Sequence, residues 1–137
     1  MARGERYATA TYFVIDPRTL VARWASAGHL PALVVPAVGT PRFLEGRGGP
    51  PLGCPPGAWP EHTLELAPGD TIVLYTDGVV ERRGAGLDEG MRMLAAAAAA
   101  VSRAGADADG LADGLIDLGR PEEDDACLVV LRVTSTP

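Results

Sequence analysis

Cysteine is scarce in this chain, with only Cys54 and Cys127. They are too few and too far apart for a cysteine metal centre, and a framework of disulfides is excluded. Both are expected to be reduced thiols in a cytoplasmic protein. Positive charge is also short: 12 Lys and Arg stand against 18 Asp and Glu, giving a net charge of −6. The arginines, among them Arg18, Arg23, Arg82 and Arg83, are scattered rather than striped, so no nucleic-acid partner is expected. Long apolar runs are missing. The longest, Met93 to Val101, is mostly alanine and falls far short of the ~20 residues of a membrane span, and the N-terminus has no apolar leader. No membrane partner is expected. Internal repeats and a Gly-x-Ser-x-Gly nucleophile segment are lacking too; Ser26 has no such surroundings.

What is present is enough for one folded domain. The chain has 137 residues, 47% hydrophobic and 22% charged, which supports a core and argues against disorder. Residues 7–15, rich in Thr, Tyr, Phe, Val and Ile, read as a strand. Asp16-Pro17-Arg18-Thr19 is a turn, with proline presetting φ and Asp16 placed to accept from the backbone ahead. Leu20 to Ser26 returns as the hairpin partner, and Ala32 to Val35 is a short apolar strand. From Ala37 to Glu61 prolines and glycines are so dense that no regular element is expected, and loops of this length are commonly functional or mobile. His62 to Leu66 alternates polar and apolar residues, with His62 expected at the surface. Thr71 to Thr76 reads as the central strand. Two helices follow. Leu87, Met91, Leu94, Ala98 and Val101 mark one face of the first, and Leu111, Leu115 and Leu118 mark the second, from about Asp109 to Leu118. Cys127 to Val133 is the last strand. Tight hairpins and grouped helices give an α+β class with antiparallel sheets flanked by helices.

Chemistry concentrates at two strand ends. Asp77, followed by Gly78, ends the central strand in Leu74-Tyr75-Thr76-Asp77-Gly78-Val79-Val80-Glu81. Asp124 and Asp125, preceded by Glu122 and Glu123, stand directly before the last strand. Carboxylates held at the ends of buried strands suit hard cations such as Mg²⁺ or Mn²⁺. Read blandly, Asp-Gly after a strand is a turn and an acidic run is a solvated loop. Four adjacent carboxylates repel one another, however, and a divalent cation relieves that repulsion. The two acidic segments meet only if their strands are neighbours in one sheet or face each other across a sandwich. His29, in Ala27-Gly28-His29-Leu30-Pro31, is either an imidazole near such a site or a turn residue between strands.

Five segments in order resemble a family: Ala10-Thr11-Tyr12, Trp24 to Pro31, Leu66-Ala67-Pro68-Gly69-Asp70, Leu74 to Glu81, and Asp124 to Arg132. Together they resemble the metal-dependent PPM-type serine/threonine protein phosphatases, and within them the bacterial branch of the sporulation stage II E phosphatase. The resemblance implies a layered αββα sandwich, of which this sequence is the C-terminal part, a single partial domain over residues 1–137. It implies two Mn²⁺ or Mg²⁺ ions, with Asp77 and Asp124 as metal ligands. Asp125, Gly78 and Thr76 would lie beside the site, and His29 is a further candidate. It implies attack on phosphoserine or phosphothreonine by a water that the ions make acidic, with no phosphoenzyme. The implied partner is a phosphorylated protein, such as an anti-sigma-factor antagonist in sigma-factor or stress signalling.

The upstream Gly-Asp segments that supply the family's bridging aspartate are not in this sequence. Each such ion takes about six ligands, so Asp77 and Asp124 alone do not organise two of them. Two expectations compete: a phosphatase whose remaining ligands lie outside this sequence, and a catalytically dead module that binds a phosphoprotein or another phosphatase. An unrelated α+β domain with acidic turns is the third. A sheet lacking strands exposes apolar surface, so self-association is expected.

Overall fold

A computed structural model describes residues 6–55, 57–81, 84–118 and 125–135. The chain forms two compact units. Among the described residues, those within 6–31 and 45–66 make the first, and those within 32–44 and 67–135 the second.

The first unit is built on a three-stranded antiparallel sheet in the order β1-β2-β5, comprising Ala10–Ile15, Val21–Ala27 and His62–Glu65. The β-branched and aromatic run of β1 pairs with β2 from Ala10 opposite Ala27 to Ile15 opposite Ala22. The expected turn closes this hairpin. Arg18 N donates to Asp16 Oδ1 at 2.8 Å, and Asp16 N donates to Val21 O at 3.0 Å. Leu20 belongs to that turn rather than to the strand, at φ 57°, which is uncommon for a bulky residue. Trp24, 6% exposed, is the aromatic centre of this unit. Phe13 stacks on one side of it at 6.1 Å and His62 lies against it at 4.6 Å between ring centroids. His62 is half-buried: it lies at the surface expected from alternation, and one side of its ring packs on Trp24. Its Nε2 also bonds Arg47 O at 2.9 Å.

The breaker-dense segment is more ordered than its composition suggests. Within the first unit, Gly49 N donates to Ser26 O and Gly28 N to Gly49 O, both at 2.9 Å, while Ala8 and Leu52 exchange two bonds. Trp59 Nε1 donates to Pro50 O at 2.8 Å. Its early part, in the second unit, holds a two-residue strand β4, Arg42–Phe43. Proline and glycine forbid long ladders, yet isolated bridges need only one or two free amides, and these the segment retains.

The second unit carries a four-stranded antiparallel sheet in the order β4-β3-β6-β7. Strand β3 is Leu33–Val35, β6 is Thr71–Tyr75 and β7 is Leu128–Arg132. β6 is interior, as its apolar sequence implies. Val73 is fully buried and Ile72 and Tyr75 nearly so. Thr71 is buried as well, and its Oγ1 accepts from Arg132 Nε at 2.9 Å. The same guanidinium donates through Nη1 to Ala106 O, tying the sheet to the connection between the long helices.

Three helices follow β6: α1 Asp77–Val80, α2 Leu87–Arg103 and α3 Ala108–Ile116. Leu94 and Ala98 of α2, and Leu111 and Leu115 of α3, are completely buried, so the middle of each expected stripe faces the core; Met91, Val101 and Leu118 are half-buried, and Leu87, at the first turn of α2, is exposed. Asp107 caps α3, its Oδ1 accepting from Gly110 N at 2.8 Å. The single-turn α1 was not foreseen, since Asp-Gly reads as a turn. No helix among the described residues is long and apolar enough to cross a membrane.

α1 and α2 touch at Gly90. A Cβ there would collide with the Val80 carbonyl oxygen and come within 2.7 Å of its carbon. Gly→Ala in an open helix gains about 1 kcal/mol. Here overpacking against backbone, typically ~1–3 kcal/mol, opposes that gain. Gly90→Ala is expected to lower the unfolding free energy in urea; a rise would show that α1 yields freely.

Candidate functional site

The site is set by what happens where β6 and β7 end and begin. Their ladder runs antiparallel from Thr71 opposite Arg132 to Tyr75 opposite Leu128. One residue further, Thr76 N donates to Cys127 O at 3.0 Å, and Cys127 N donates to Thr76 Oγ1 at 3.0 Å. The hydroxyl itself donates back to Cys127 O at 3.3 Å. Thr76 thus brackets Cys127 with both its backbone and its side chain. This extends the strand pairing up to the residue before Asp77.

Gly78 makes the next step possible. A Cβ at this position would overlap the Asp125 carbonyl oxygen and stand 2.9 Å from its carbon and 3.2 Å from Ala126 Cα. Only glycine lets the two backbones approach this closely. Asp77 and Asp125 therefore belong to adjacent segments at one end of the sheet, and both are exposed. Val79 and Val80, which follow at once, are buried and anchor α1.

Of the candidate residues, the structure brings together Thr76, Asp77, Gly78 and Asp125. Asp124, with Glu122 and Glu123, lies outside the described residues. His29 belongs to the first unit. Its Nδ1 shares a hydrogen bond with Thr9 Oγ1 at 3.0 Å. Its backbone N donates to Ser26 Oγ, and that hydroxyl donates to His29 O, each at 3.2 Å. Ser26 and His29 so form a local turn, which accounts for the Ser-Ala-Gly-His spacing. Cys54 and Cys127 are free thiols, Cys127 exposed.

Sequence reading overlooked Tyr75. It lies beneath the site, 2% exposed, with the Phe43 ring edge-on at 6.3 Å. Burial, and secondarily the negative charge of Asp77, pushes its phenol well above the ordinary tyrosine value. The clue was available, since a tyrosine at an inward position of a buried strand two residues before an aspartate meets both effects.

Thr76, Asp77 and Asp125 offer oxygen donors here, which is the chemistry hard divalent cations take. Their number is small: among the described residues no three His, Cys, Asp or Glu side chains cluster as a metal-binding group. The described residues fit one wall of a cation site and do not complete one.

Comparison with known proteins agrees with this architecture. A family model for Stage II sporulation protein E (SpoIIE) matches residues 1–134. The chain belongs to the SpoIIE family of PPM-type phosphatases. The structure of the RsbU and RsbW domains of Rv1364c from Mycobacterium tuberculosis is similar with a TM-score of 0.84 at 34% identity, over 99% of this chain and 39% of that one. The Mn-presoaked phosphatase domain of the cell fate determinant SpoIIE from Bacillus subtilis matches at TM-score 0.64 and 19% identity, over 100% of this chain and 62% of that one. RsbX in complex with magnesium matches at TM-score 0.63 and 16% identity, over 91% and 55%. The last two likenesses concern the fold alone. The chain spans less than two thirds of each of these three chains.

The tyrosine supplies a test. Its raised folded-state value means that the folded chain holds the phenolic proton above pH ~10, where an unfolded tyrosine releases it. The stabilisation is full below pH ~10 and is lost as pH rises further, because the unfolded state then binds fewer protons. Urea unfolding from pH 8 to 11 is expected to show a decline above pH ~10 that is shallower in Tyr75→Phe. Parallel declines in the two proteins would remove the burial argument.

Proposed function

We propose that this chain supplies part of the active site of a metal-dependent phosphoprotein phosphatase, with phosphoserine or phosphothreonine in a protein as the substrate. The reading is supported most by the close approach of Gly78 to the Asp125 backbone. Without it, the acidic end of β6 and the acidic entry to β7 would be two unrelated turns. With it, carboxylates distant in sequence share one sheet end, in a chain of a phosphatase family.

Asp77 and Asp124 are the proposed ligands for Mn²⁺ or Mg²⁺, and Asp125 orients groups beside them. When bound, the ions supply charge neutralisation for the phosphate and activation of water. The chain's own residues do the positioning. Thr76 fixes the Asp77 backbone against β7, and Gly78 sets how near the second acidic segment comes. Tyr75, protonated and buried, gives Asp77 a rigid floor without adding charge. Substrates presented as phosphorylated anti-sigma-factor antagonists, in sigma-factor or stress signalling, accord with the bacterial family branch.

A second reading has its own support. Only a partial oxygen set stands among the described residues, which supports a catalytically dead module that binds a phosphoprotein or an intact phosphatase. Turnover separates the two. The isolated chain is expected to hydrolyse a phosphoserine peptide with Mn²⁺ slowly or not at all. Rapid Mn²⁺-dependent release of phosphate would instead show that these residues suffice.

Cation binding tests the site directly. Asp77→Asn removes one charged oxygen and is expected to weaken Mn²⁺ affinity by about tenfold, a difference of ~1.4 kcal/mol. Isothermal titration giving equal affinities for variant and parent would take Asp77 out of the site.

A further inference from the structure

One turn of chain joins Asp77 to the neighbourhood of the long helix α2. That turn, α1, begins at Asp77 and ends at Val80. Val79 N donates to Thr76 O at 3.0 Å and Glu81 N to Asp77 O at 2.7 Å, so it is closed along its whole length. Val79 and Val80 are buried. At one end Gly78 stands against the Asp125 carbonyl, and at the other the Val80 carbonyl stands against Gly90 of α2. A closed turn packed between two backbones passes a displacement on rather than absorbing it. Whatever moves Val80 therefore moves Asp77.

The glycines of this region differ in what surrounds them. At Gly84 and Gly86, in the connection from α1 to α2, a Cβ would have no atom within 4 Å. These two positions place no steric demand on how near α2 comes to α1. Gly90 is buried within α2. A Cβ there would collide with the Val80 carbonyl oxygen and lie 2.7 Å from its carbon and 3.1 Å from Val80 Cα. Glycine inside a helix costs about 1 kcal/mol relative to alanine. α2 is otherwise rich in alanine, with residues 95–100 all of that type. It departs from alanine where its backbone meets α1, and the departure shortens the distance between the two helices.

We propose that Gly90 is a positioning residue for the cation site. Its missing side chain lets α2 hold α1 against the entry to β7, and so sets where Asp77 stands relative to Asp125. The inference rests on the reading of Asp77 as a cation ligand, and it makes α2 the element through which that ligand is adjusted.

The test compares the parent chain with Gly90→Ala and with Gly86→Ala, the control in open space, first without metal. In Gly90→Ala, amide chemical shifts are expected to change at residues 76–78 and 125–127, beyond the substituted turn. In Gly86→Ala they are expected to change only near the substitution. Changes in Gly90→Ala confined to residues 79–94, or equal changes at 76–78 in both variants, would overturn the proposal. Isothermal titration without denaturant then reads the Mn²⁺ affinity of the folded protein. Gly90→Ala is expected to weaken it about tenfold, the low end of the loss when groups supporting a metal ligand are altered, and Gly86→Ala to leave it unchanged. A purely structural role lowers stability without this split, and equal affinities in parent and Gly90→Ala would overturn the proposal. If Gly90→Ala does not fold, Mg²⁺ titration of the parent decides: the amides of Asp77 and Gly90 are expected to shift along one saturation curve, and a Gly90 amide that stays still while that of Asp77 moves overturns the coupling. A parent that binds neither ion, with the metal-free changes at 76–78 intact, would remove the cation reading and leave the coupling of α2 to Asp77 standing.

Discussion

The antiparallel pairing of β6 with β7 is the constraint on which the rest of the second unit depends. It joins segments about fifty residues apart in sequence, with three helices intervening, so its closure carries a substantial loop entropy. That cost is offset by burial. Thr71, Ile72, Val73 and Tyr75 are removed from water, and Arg132 satisfies the buried Thr71 hydroxyl. The ladder does not stop where the apolar residues stop. Thr76 carries it one residue past the core by clasping Cys127, so Asp77 emerges at a point fixed by the interior while exposed to solvent. A carboxylate on a free loop would have no such fixed origin.

The same arrangement accounts for the composition around it. Gly78 and Gly90 are required for close approach and not for an unusual turn. Each has a backbone carbonyl where a side chain would begin, Asp125 in one case and Val80 in the other. α1 is held between them. One face leans on the entry to β7 and the other on α2. A four-residue helix has little stability of its own, and Val79 and Val80, both buried, hold it in place. The position of Asp77 thus rests on packing by its neighbours more than on any bond of its own side chain.

Much of this was legible in the sequence, for identifiable reasons. Period-two and period-3.6 patterns located the strands and the two long helices, because burial of one face is what those patterns record. The order of the motifs gave the family. α1 escaped notice because four residues carry no period, and Asp-Gly is turn chemistry in most settings. The bonded framework within residues 37–61 escaped because it uses single bridges and one indole bond, Trp59 Nε1 to Pro50 O. Composition reports only that long ladders are absent. The ring contact of His62 escaped for a related reason. Alternation assigns a side, but it does not reveal that the side holds a tryptophan able to take an imidazole against it. The environment of Tyr75 was readable in principle, since a strand facing inward and a neighbouring aspartate both act on a phenol in one direction.

Electrostatics then sets what the sheet end is able to do. In a chain of net charge −6, gathering further carboxylates at one place is unfavourable unless they are solvated or share a cation. Asp77 and Asp125 are exposed at that end of the sheet, where water or a cation offsets their repulsion. In the proposed site, the affinity for an ion depends on how many oxygens are already in position. With one wall fixed by β6 and β7, each further oxygen ligand meets a partly organised site and forfeits less ordering entropy than a site assembled from loops. The Thr76 clasp and the Gly78 contact leave the segments carrying Asp77 and Asp125 little freedom to move apart.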